Sequence, residues 1–145
     1  MSRRIPRPLY DEVFELVTMI AQPDASPLEN VDEAAASEGM RKLLEVYRRQ
    51  ESSGAPDPYL TEAVADFTED ATEAIQLYEL ALIQSAAVPG EPIASKHIGL
   101  ARRLHDIGRT KEAREHLLLA RQSAFAERDA KVLQEMDELD KAYAL

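Results

Sequence analysis

A set of six apolar positions occurs twice in this chain, about 40 residues apart. Leu60, Val64, Phe67, Ala74, Tyr78 and Ala81 recur as Leu100, Leu104, Ile107, Ala113, Leu117 and Ala120, with one extra residue in the first turn. Within each set the three-to-four-residue spacing marks the buried face of a helix, and the interruption after the third position marks a reversal of the chain. Each set therefore predicts a helical hairpin. A hairpin of this size cannot bury its apolar face by itself, so the pattern demands that hairpins stack on one another. The better-formed copy is Ser95 to Ala124, in which Gly108 breaks the first helix and Ala113 and Ala120 let two backbones approach closely.

The remaining segments fit the same scheme. A first helix is expected from about Leu9 to Gln22 on the stripe Leu9, Val13, Leu16, Val17 and Ile20, and Pro23 ends it. Ser26 to Glu29 has the spacing of a capping box, and a second helix is best defined from Met40 to Arg49. Ser52 to Pro58 reads as a linker. Two helices follow over 57–87, two more over 92–124, with Thr110 expected to cap the second of these. A closing helix is expected over 128–144, with Val132, Leu133, Met136, Leu139 and Tyr143 on one face. The expectation is an all-α chain of about seven helices, a single domain over 9–145 preceded by a basic tail over 1–8.

Composition narrows the function. With 17 Lys plus Arg against 27 Asp plus Glu, the formal charge of −10 disfavours nucleic acid as a partner, because phosphate binding needs basic surface. Nine acidic and no basic residues lie between Gln50 and Ser95, an asymmetry that reads either as a solvated face or as a docking surface at Glu62, Asp66, Glu69, Asp70, Glu73 and Glu79. The absence of Cys removes disulfides and thiolate chemistry from consideration. No apolar run is long enough to span a bilayer, so no membrane association is expected and a cytoplasmic location is.

Catalytic motifs are absent in sequence: there is no G-x-S-x-G, no phosphate loop, and no Glu three residues before any of the three His as helical di-iron sites require. His97, His105 and His116 read as packing or surface residues. No enzyme activity, metal or cofactor is expected.

Leu100 to Ala120, LARRLHDIGRTKEAREHLLLA, resembles the tetratricopeptide repeat (TPR) family in its Leu-Ala pair, its turn Gly and its small residues. The 57–87 hairpin resembles it more weakly, lacking the turn Gly. This resemblance implies an α-solenoid with a C-terminal capping helix, acting as a non-catalytic adaptor or chaperone. It further implies a concave groove for a protein or peptide, lined by Ile98, Arg102 and His105 from one hairpin and Glu62 and Ala65 from the other. Two alternatives stand beside it: an immunity-protein or antitoxin-type inhibitor covering a basic toxin or nuclease with the acidic block, and a self-assembling scaffold, homodimeric if the end helices exchange between chains.

Overall fold

A computed structural model describes residues 7–22, 32–54 and 57–143. The capping box expected at Ser26 to Glu29, and the expected tail as far as residue 6, lie outside them. Seven helices occupy the described residues, and no strand occurs among them: α1 (Arg7–Ala21), α2 (Glu33–Ser52), α3 (Pro58–Asp66), α4 (Ala71–Ala86), α5 (Ala94–Asp106), α6 (Thr110–Glu127) and α7 (Ala130–Ala142).

Four starts are set by aspartates that use a carboxylate oxygen to satisfy orphan N–H groups. Asp32 accepts from Ala35, Asp57 from Tyr59 and Leu60 with Pro58 in the first turn, Asp70 from Glu73, and Asp129 from Val132. Each such cap contributes about 1 kcal/mol. The other two described starts differ. α5 follows Ile93, which has no side-chain cap, and the carboxylate of Glu127 at the far end of α6 accepts from the Ile93 N–H at 2.9 Å and the Ala94 N–H at 3.4 Å. Thr110, expected as the cap of α6, is instead its first helical residue. The reason is the end of α5: Gly108 adopts φ +82°, the Arg109 N–H bonds to the Leu104 carbonyl at 2.9 Å, and the chain re-enters a helix so quickly that Arg109 takes the capping position.

The helices pack mainly on their neighbours in sequence, with α1 also meeting α3 and α5 also meeting α7. Two apolar clusters result. Val13, Leu16, Leu43, Val46, Leu60 and Val64 join α1, α2 and α3, whereas Tyr78, Ile98, Leu104, Leu117, Met136 and their neighbours join α4 to α7. α3 serves both, because Ala65 turns to the second cluster while Leu60, Ala63 and Val64 face the first. Ten of the twelve repeated apolar positions are buried; Phe67 is half-buried and Ile107 stands exposed beside the turn.

One charged residue is sealed among these helices. Lys96 has no exposed surface, and its ammonium lies 3.1 Å from Glu62 of α3, 3.1 Å from Glu91 and 2.6 Å from the Pro92 carbonyl, both in the α4–α5 connection. Burying an ammonium costs several kcal/mol, which the two carboxylates and the carbonyl offset. Removing the cation alone leaves the Glu62 and Glu91 side chains, 15% and 4% exposed, without the ammonium between them. Lys96→Ala is expected to lose about 3–5 kcal/mol in urea unfolding, and adding Glu62→Gln and Glu91→Gln to that variant to recover part of the loss.

Candidate functional site

The cleft is built by the first helices of the two hairpins. α3 contributes Glu62 and Asp66 to one wall, α5 contributes Ser95, Gly99, Arg102 and Arg103 to the other, and together with Tyr78 of α4 and Glu135 of α7 they border a cavity of about 470 Å³. A second cavity of about 280 Å³ shares Glu62, Asp66 and Ser95 and extends towards Val17, Tyr59 and Asp129.

Gly99 makes this geometry feasible. A Cβ there would sit 2.4 Å from the Tyr78 Cζ and 2.7 Å from its hydroxyl oxygen, so the tyrosine ring lies directly on the α5 backbone. The ring carries its hydroxyl across to α3, where it donates to Asp66 Oδ1 at 2.5 Å. Arg103 completes the link by donating to the Thr68 carbonyl at 2.7 Å, with the Asp66 and Glu69 carbonyls at 3.5 Å, so it neutralises the carbonyl end of α3. Arg102, one residue earlier, ion-pairs with Glu135 and ties α5 to α7.

Burial raises the Asp66 carboxyl from its ordinary range to about 7; the Tyr78 hydrogen bond opposes this, the Glu62 charge adds to it, and Arg103 and Lys96 oppose it. Asp66 nonetheless presents exposed surface at the cleft mouth, where water limits the penalty. The Tyr78 hydroxyl is pushed upward, first by burial and then by the neighbouring Asp66 charge.

The residues expected from sequence separate. Glu62, Ile98 and Arg102 border the cleft, although Ile98 is only 3% exposed and acts mainly in packing. Ala65 is fully buried against α4 and α5 and presents nothing to a groove. His105 stacks on Tyr143, with ring centroids 3.7 Å apart and 6° between planes, rather than bordering the cavity. The acidic block is divided: Glu62 and Asp66 enter the cleft, Glu69, Asp70 and Glu73 stand exposed around the α3–α4 turn, and Glu79 borders a separate depression of about 290 Å³ with His116. Sequence reasoning passed over Tyr78 as a cleft residue and also Ser95, Gly99 and Arg103. Gly99 alone carried a signal, because a glycine inside a helix costs up to about 1 kcal/mol and calls for a packing reason.

His97 and His116 form a pair across α5 and α6, with Nδ1 atoms 3.0 Å apart, centroids 5.3 Å apart and planes 27° from parallel. One ring donates its Nδ1 proton and the other accepts, so the accepting ring is neutral. Burial pushes His97 down to about 4, helped by His116 and Lys96, and burial also lowers His116. Among the described residues no group of three His, Asp or Glu side chains is placed to hold a metal ion. No protein-family model, curated protein or solved structure matches the chain.

Gly99→Ala is expected to destabilise the fold. Overpacking costs about 1–3 kcal/mol, more than the gain of up to about 1 kcal/mol in helix propensity, and a thermal melt reads the difference. The acid response is expected to split by residue. Between pH 6.5 and 4 the unfolded chain protonates His97 before the folded chain does, so this group withdraws stability as pH falls. Asp66 acts in the opposite sense, since the folded chain takes its proton first as pH falls from about 7. Urea unfolding at pH 7.5 and pH 5 should therefore show a smaller acid loss for His97→Gln than for the parent protein, and a larger one for Asp66→Asn.

Proposed function

We propose that this chain is a non-catalytic protein-interaction module, a TPR-like stack of helical hairpins whose α3–α5–α7 cleft receives a segment of a partner protein. The observation that carries this reading is the cleft itself: about 470 Å³, continued by a second cavity, with walls from the first helix of each hairpin. Its polar groups are braced against one another by the Tyr78–Asp66 bond, the Arg103 contacts and the Arg102–Glu135 pair. Pre-positioned walls lower the ordering cost of association. Serial packing of helices on their sequence neighbours supports the repeat reading, as does the alignment of the two hairpins.

Self-assembly is a second reading, favoured by apolar side chains left at the surface: Ile83 is 71% exposed on α4, and Leu118 and Phe125 are 59% and 65% exposed on α6. An inhibitor that covers a basic toxin would use the acidic block, but its carboxylates are spread over the cleft, the α3–α4 turn and α4, which favours the cleft over a single acidic docking face.

Ser95 borders both cavities and belongs to neither core cluster, so Ser95→Trp fills the cleft from its wall. Affinity capture with the parent protein and with this variant is expected to lose the cleft partner in the variant while circular dichroism stays unchanged. Retention of the same partner by Ser95→Trp would refute the cleft reading, and a dimer mass in light scattering that falls to monomer with Ile83→Glu or Leu118→Glu would favour self-assembly.

A further inference from the structure

The charge of the cleft walls selects among the segments that could enter, and this step rests on the cleft being a docking site. Every cation in the walls or behind them is already engaged. Lys96 is sealed between Glu62, Glu91 and the Pro92 carbonyl; Arg102 is paired with Glu135; Arg103 is held by the carbonyls ending α3. None of the three is left over for an incoming carboxylate. The wall carboxylates are not balanced in the same way. Asp66 receives the Tyr78 hydroxyl on one oxygen, a neutral donor, and the Asp106 carboxylate, bordering the same cavity, has no hydrogen bond or ion pair among the described residues.

We infer that the occupant of the cleft is a cationic segment of a partner protein, with an arginine or lysine side chain entering beside Tyr78 to pair with Asp66 and with further positive charge facing Asp106. A segment rather than a small cation is indicated by extent. The 470 Å³ and 280 Å³ cavities share Glu62, Asp66 and Ser95 in their linings, and side by side they offer room for several residues from the α7 side towards α1.

The titration of Asp66 agrees with this geometry. Facing it are Glu62 from its own helix, Tyr78 from α4, and Lys96 and Arg103 from α5, and together with burial they leave its carboxyl near 7. A charge that costs this much to hold is one that an incoming cation relieves, so binding near neutral pH releases a proton and weakens as pH falls below 7.

The test uses the full chain and two acetylated nine-residue probes, one repeating Gly-Ala-Arg and one repeating Gly-Ala-Glu. The arginine probe is expected to bind by calorimetry, to shift the Tyr78 and Gly99 NMR signals, and to release protons at pH 7, seen as a heat that differs between phosphate and Tris buffers. Asp66→Asn, which keeps a partner for the Tyr78 hydroxyl, should weaken it about tenfold and abolish the proton release. Glu138→Gln, an equal charge change at an exposed position on α7, should leave both intact. Equal weakening by the two variants would overturn the inference, because it would mean attraction to net charge alone. Shifts at Tyr78 and Gly99 from the glutamate probe but not the arginine probe would overturn it while leaving the docking cleft standing. Silence at those signals from both probes would remove the cleft reading as well. Arginine-probe binding that appears only after residues 1–6 are deleted would replace the partner with the chain's own Arg3 and Arg4.

Discussion

The ammonium of Lys96 is the point on which the placement of the helices depends. It has no exposed surface, and its three oxygen partners come from α3 and from the connection that precedes α5. An uncompensated charge at this depth would cost several kcal/mol, so any displacement of α3 relative to the α4–α5 connection carries that penalty. Apolar packing alone would tolerate sliding of one helix along another. The ion cluster is directional, and it sets the separation of α3 and α5 that the cleft requires.

With that separation set, Gly99 and Tyr78 determine what lies in the cleft. The missing Cβ admits the tyrosine ring against the backbone of α5, and the ring's length delivers a hydroxyl to Asp66 on α3. Arg103 grips the same end of α3 from the other side. The walls are thus cross-linked by polar contacts rather than closed by apolar ones, which keeps the cleft open while holding its side chains in place. On the other face of α5 the His97–His116 pair performs a similar linking role towards α6, with the opposite response to acid.

Helical periodicity was readable in the sequence. Ten of the twelve repeated apolar positions are buried, as their helical spacing requires, whereas the carboxylate caps Asp57 and Asp129 were not expected from the sequence. Thr110 failed as a cap because α6 follows the glycine turn so closely that Arg109 takes the capping position and Thr110 is already helical. Ala65 failed as a groove residue because α3 is covered on two faces, by the α1–α2 pair and by α4 with α5, which leaves only the edge bearing Glu62 and Asp66 towards the cleft. Nothing in the local pattern marks Lys96 as buried, since lysine is normally exposed and its three partners lie at positions 62, 91 and 92.

The sequence by itself determined the helical class, the spacing of the repeated apolar positions and the face that most helices bury, because these follow from periodicity. Only the tertiary structure decided which charges are buried, which carboxylates share the cleft and why Gly99 is needed. Those properties arise from side chains tens of residues apart: Lys96 with Glu62, Tyr78 with Asp66 and Gly99, Arg102 with Glu135. The repeat of apolar positions makes the hairpins; long-range ionic and aromatic contacts make the cleft between them.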